Sequence, residues 1–186
     1  MKQFSVPLAL LFIAGALQAG EPTDKEKAMA ATAAFGKALK SELVTAMQSG
    51  GPIAAIDVCN TRAPGIAEAV SLEQGVQVSR VSLKNRNPDN SPNDWQTAVL
   101  ESFEEQVESG EDAGGLSWQK TVEVDGVKQF RFMKAIPTGG VCLACHGKTI
   151  DSTVQAKLAE LYPEDKATGY SEGELRGAFV VVKQTP

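Results

Sequence analysis

The apolar positions change period several times along the chain, and each change marks an element. Val6–Leu17 is an unbroken apolar run behind Lys2, followed by small residues. That is the layout of a secretory signal peptide. The run is shorter than the ~20 residues that cross a bilayer. Cleavage is expected after Ala19, leaving residues 20–186 as one domain; Leu17 departs from the small residue favoured at minus three, and an uncleaved anchor is the alternative. From Glu21 to Gln48 the chain is rich in Ala, Lys, Glu, Leu and Met, and Phe35, Leu39, Leu43 and Met47 recur every fourth residue, which predicts a long helix. Gly50-Gly51-Pro52 ends it and opens a short apolar helix over 52–58, and Pro64 opens another over 63–70. Residues 75–83 alternate and are β-branched, a strand signal. Residues 85–92 read as a loop, and Pro92 at the first helical position opens a helix to Val107 with Trp95, Val99, Phe103 and Val107 on one face.

Leu116–Val124 and Val127–Ile136 flank Asp125-Gly126, a favoured hairpin turn. Trp118, Val122 and Val124 share one parity on the first arm; Phe130, Phe132 and Ile136 share one on the second. A short helix over 151–161 precedes a final strand, 175–183, whose Phe-Val-Val-Val run suits a central position. Helices on one face of an antiparallel sheet give an α+β single domain.

Composition narrows the function. The 186 residues hold 42% hydrophobic and 22% charged residues, which is globular rather than disordered. Lys plus Arg is 18 against 23 Asp plus Glu, a net charge of −5 that argues against a nucleic-acid partner. No segment after the leader has transmembrane length, so an exported, soluble product is expected, in a periplasm or its equivalent. Three cysteines are too few for a disulfide scaffold, and one histidine excludes any site that needs two.

Cys142-Leu143-Ala144-Cys145-His146 matches C-x-x-C-H, the attachment site of c-type haem. Two thiols three positions apart can reach both vinyl groups on one porphyrin edge, and the next residue's imidazole then lies under the iron. One covalent haem c is the expected cofactor. A Cys142–Cys145 redox pair lacks the thioredoxin-like βαβ start. Half a zinc site would need two more ligands, with only Cys59 left among Cys and His. A structural disulfide would not require His146. With His146 spent, the sixth iron position is open to Cys59, Met29, Met47, Met133, a lysine, water or no ligand. Cys59 ends an apolar helix, and the residues alone leave it open between iron ligand and buried core filler.

Three stretches carry a wider likeness: Ala55–Ala67 (AIDVCNTRAPGIA), Val78–Pro92 (VSRVSLKNRNPDNSP), and Phe130–Ala178 with CLACHG, YPEDKATGY and GELRGA. In these the chain resembles a family of exported single-haem c-type proteins first seen structurally in a cyanobacterial protein. The resemblance implies a PAS-like antiparallel sheet with flanking N-terminal helices. It also implies an unusual axial pair, His146 and Cys59, as the metal ligands. Thiolate ligation favours ferric iron and a low potential. Reduction favours protonating the thiolate, so Cys59 would leave and open a site for CO, NO or O₂.

Haem propionates need cationic partners when partly buried. Arg80, Arg86 and Arg131 sit in or beside the expected pocket segments, with plain surface roles as the alternative. Three jobs follow. An electron carrier, docking through its acidic surface on a basic redox partner, ranks first. A redox or gas sensor acting through a separate signalling partner ranks second. An enzyme ranks third, because no second histidine is present for acid–base work.

Overall fold

A computed structural model describes residues 21–185. The expected leader and its cleavage bond lie outside the described residues. Helix α1 (Asp24–Thr61) starts in a capping box, where Thr23 accepts from the Glu26 N–H and Glu26 reaches back to the Thr23 N–H. It breaks at Gly51, whose φ of 67° and ψ of −161° are not helical. Pro52 then restarts it, so the Gly-Gly-Pro break expected from the sequence is real. Helix α2 (Ala63–Gln74) runs four residues past its expected end and stops at Gly75, which takes the left-handed conformation. Gly75 therefore caps a helix instead of opening a strand, and β1 is only Gln77–Val81.

Helix α3 (Asp94–Glu108) is capped by Asn93 in a second capping box with Gln96, so Pro92 precedes the cap rather than occupying the first turn. The hairpin β2 (Ser117–Val124) and β3 (Val127–Pro137) turns through Asp125 at φ 52° and Gly126 at φ 78°, the backbone that a two-residue hairpin demands. A one-turn helix α4 (Leu143–His146), α5 (Ser152–Leu161) and β4 (Leu175–Thr185) complete the chain. The sheet is antiparallel throughout, in the order β1-β4-β3-β2, and β4 is central as its apolar run required. The α+β single domain with flanking N-terminal helices is present.

The helices do not share one face. On β3, Phe130 and Phe132 point towards Ala28, Ala31 and Phe35 of α1 and Val70 of α2. Met133 and Ala135, of the opposite parity, point towards Val99, Leu100 and Phe103 of α3. β4 splits the same way, with Val181 on the first side and Ala178 and Val180 on the second. Apolar residues at both parities of two central strands need cover on both faces, and α3 supplies the second layer. A third, smaller cluster stands apart from the sheet. It joins Ile53 and Ile56 of α1, beyond the Gly51 break, to Val154, Leu158 and Tyr162, with Cys145 packed against it.

Gly177 fixes where β1 meets β4. Its φ is 151°, and a Cβ there would run into the Val81 carbonyl and the Ser82 side chain. Only glycine lets the strands close at this point, beside the register shift at Ile136/Pro137.

Candidate cofactor site

β3 ends at Pro137 and delivers the chain to the C-x-x-C-H segment. Thr138 exchanges backbone hydrogen bonds with the Gly173–Glu174 turn, donating to the Glu174 carbonyl at 2.8 Å and accepting from the Gly173 N–H at 2.8 Å. A tight turn over Gly140–Cys142 feeds α4, so Cys142, Cys145 and His146 occupy one short helical stretch. All three cysteines of the chain are free thiols of intermediate exposure. Burial pushes the Cys145 thiol up, opposed by the nearby Arg86 charge.

His146 is held from behind. Its Nδ1 lies 2.7 Å from the Ala167 carbonyl oxygen. A carbonyl only accepts, so Nδ1 carries the proton and Nε2 keeps its lone pair free. Burial, then the positive charges of Arg176 and Arg86, hold the imidazole pKa well below its usual value. The ring is therefore neutral, the form a metal takes. Tyr170 stands edge-on to the ring at 6.3 Å between centroids, and its N–H donates to the His146 carbonyl at 2.9 Å.

Arg86 fastens this arrangement. Its Nε donates to Asp165 Oδ2 at 3.0 Å, and one terminal nitrogen donates to the carbonyls of Cys145 at 2.5 Å and Ala167 at 3.2 Å. Asp165 Oδ1 accepts in turn from the Ala167 N–H at 2.8 Å. Arg86 and Asp165 are both almost fully buried. The Asn-Arg-Asn-Pro loop is thereby bound to the Tyr-Pro-Glu-Asp loop, and both hold the carbonyl that orients His146.

Arg86, Cys145 and His146 also border a cavity of about 460 Å³ with mainly apolar walls. Cys142, Cys145 and His146 form one side, and Cys59 with Ala55 and Ile56 enters from α1 past its break. Leu39, Leu43 and Met47 close another side from the first part of α1. The volume lies within the ~300–1,000 Å³ of ordinary ligand pockets. The thiols and imidazole surround this space: no compact cluster of three or more metal-binding side chains occurs among the described residues.

Of the other sulfur candidates, Met47 borders the cavity, Met29 is an exposed residue of α1, and Met133 is fully buried in the core beneath α3. Arg80 and Arg86 both line the cavity. Arg131 does not. Its parity turns it to the α3 side, where its guanidinium sits 4.9 Å from the Trp95 ring centre and Trp95 stacks on Trp118. Sequence reading missed Arg176, which lines the cavity from the start of β4, and Asp165, the partner of Arg86. Both fall inside quoted stretches, YPEDKATGY and GELRGA, but nothing local marks them, because their roles depend on long-range contacts.

Residues 17–183 match the family described as Tll0287-like. The chain belongs to the Tll0287-like family. A solved structure with the same fold is that of the cyanobacterial heme-protein Tll0287, with a TM-score of 0.58 at 21% identity, covering 89% of this chain and 98% of that chain. No curated protein matches the chain. Within this Tll0287-like chain the donor set suits an iron porphyrin: two thiols at attachment spacing, a neutral imidazole with Nε2 free, a third thiol, and guanidinium groups, all on the same apolar cavity. A shielded donor points the same way. Arg176 Nε is buried with no hydrogen-bond partner, a state that costs about 1–3 kcal/mol unless a ligand accepts from it.

Proposed function

We propose that this chain is an exported c-type cytochrome that carries one covalent haem and transfers electrons between redox proteins. Cys142 and Cys145 would form the thioethers, and His146 Nε2 and Cys59 would ligate the iron. The haem supplies the one-electron couple. The residues attach it, exclude water with apolar walls, and keep the imidazole neutral through the Ala167 carbonyl. The observation that carries this reading is the meeting of Cys59 with the C-x-x-C-H segment around one apolar cavity. No helix among the described residues is long and apolar enough to cross a membrane, which suits a diffusible carrier.

The test is spectroscopy of the purified ferric protein beside Cys59→Ser. A thiolate-type low-spin spectrum lost in the variant supports the ligand pair; an unchanged spectrum removes Cys59 from it. A pigment extracted by acidified organic solvent defeats covalent attachment.

One observation favours sensing as a second reading. The segment bearing Cys59 follows the Gly51 break and packs with α5 in its own cluster, apart from the sheet core. Release of Cys59 on reduction would open the cavity side of the iron to CO or NO. Ferrous protein that stays six-coordinate and ignores CO rejects this reading.

A further inference from the structure

Three guanidinium groups border the cavity, and they are not alike. Arg86 is matched: Asp165 lies 3.0 Å from its Nε, and its remaining contacts go to two backbone carbonyls. Its charge is paired, and its Nε and one terminal nitrogen are committed to the fold. Arg80 and Arg176 are unmatched, since neither has a carboxylate within ion-pair distance among the described residues. Arg80 lies on β1 opposite Phe179, on the sheet face that α1 covers. Arg176 is steered from several sides. Its Nη1 donates to Ser82 Oγ at 3.1 Å and to the Lys84 carbonyl at 3.4 Å, and its guanidinium lies 5.4 Å from the Tyr170 ring centre. That leaves Nε shielded from water and without an acceptor.

Two positive charges on an apolar cavity wall, one with a stranded donor, call for an anionic ligand edge. We infer that Arg80 and Arg176 are the pair that receives the two carboxylates of the haem, and that Arg86 is a structural latch with no part in it. This rests on the haem reading. The pair acts as positioning residues: it sets which porphyrin edge faces β1 and β4, and it keeps the carboxylates ionised. It also places positive charge near the iron, opposing the negative charge of a thiolate ligand.

The experiment is redox titration of the pigmented protein from pH 5 to pH 9 for the wild type, R80Q, R80K, R176Q and R176K, with R131Q as control. R80Q and R176Q should each lower the midpoint potential, because ferric iron gains when a nearby cation is lost. Each should also move the pH range over which the potential varies upwards, because a carboxylate without its guanidinium holds its proton longer. R80K and R176K should retain most of the wild-type behaviour, and R131Q all of it. Glutamine variants that stay pigmented with the wild-type potential and pH profile overturn the assignment. So does a shift shared equally by the lysine and glutamine variants, which marks a packing role instead of a charge. If R176Q yields no pigmented protein, R80Q and the two lysine variants decide the question by the same criteria. A colourless wild-type protein would instead defeat the haem reading.

Discussion

At the scale of single residues, the Arg86–Asp165 pair is the strongest constraint on the site. It is buried, it spans two loops far apart in sequence, and it ends on the carbonyls of Cys145 and Ala167. Removing one partner strands the other charge. Arg86→Met and Asp165→Asn should each cost about 3–5 kcal/mol in denaturant unfolding. The double variant Arg86→Met/Asp165→Asn should cost clearly less than the two together, since no lone charge remains. If the single losses add, the pair is not coupled. Gly177 is the second such point. Gly177→Ala places a methyl against the Val81 carbonyl at a backbone angle alanine avoids, and should cost about 2–3 kcal/mol. The same change at Gly126 meets no neighbouring atom and should cost less, so near-equal melting losses would contradict the steric argument.

At the scale of elements, the sequence spoke clearly wherever the deciding interactions were local. The Gly51 break, the Asp125-Gly126 turn and the C-x-x-C-H segment are all short-range, and each lies where the pattern put it. The one-face arrangement failed because Met133 and Ala135 carry burial that a single-parity reading of β3 assigns to solvent. Arg131 failed for the same reason, since parity sends it to the α3 side, away from Arg80. Arg176 could not be singled out, because its role comes from Ser82, Lys84 and Tyr170, all distant in the chain or across a turn. Helix α3 carries a titration of its own. Burial holds the Glu104 carboxyl above its usual range; Lys84 pulls the other way, and Glu108 and Glu101 add to the rise. The folded chain thus keeps this proton to a higher pH than the unfolded chain, so Glu104 lowers stability as pH rises past about 4.3. Glu104→Gln should therefore stabilise the protein at pH 7 by less than about 1 kcal/mol, given its partial exposure, and leave it unchanged at pH 3. A variant less stable at pH 7 than at pH 3, relative to wild type, would reverse this sign.

At the scale of the whole molecule, α3 and the turn after it form an acidic layer. From Asp94 to Asp112 the chain carries Asp94, Glu101, Glu104, Glu105, Glu108, Glu111 and Asp112 with no basic residue between them. This acidic layer covers one face, and the cavity with its arginines lies against the other. Glu101, Glu105 and Glu108 are exposed, so water and salt screen their reach. Neutralising Glu101, Glu105 and Glu108 to Gln should therefore weaken capture by a basic partner surface, yet leave the midpoint potential at physiological salt essentially unchanged. A potential that moved with these substitutions would mean that solvent does not screen the α3 carboxylates from the cavity. The three hydrophobic clusters bear on the order of construction. Those on the two sheet faces draw on α1, α2, α3 and the strands, whereas the one beside Cys145 is small and assembled from Ile53, Ile56 and α5. Both sheet clusters need β4, the last strand of the chain, so the scaffold closes only after the segment bearing Cys142 and Cys145 is in place. The small cluster beside Cys145 adds nothing to either sheet face, so the molecule's two main layers can be secured independently of it.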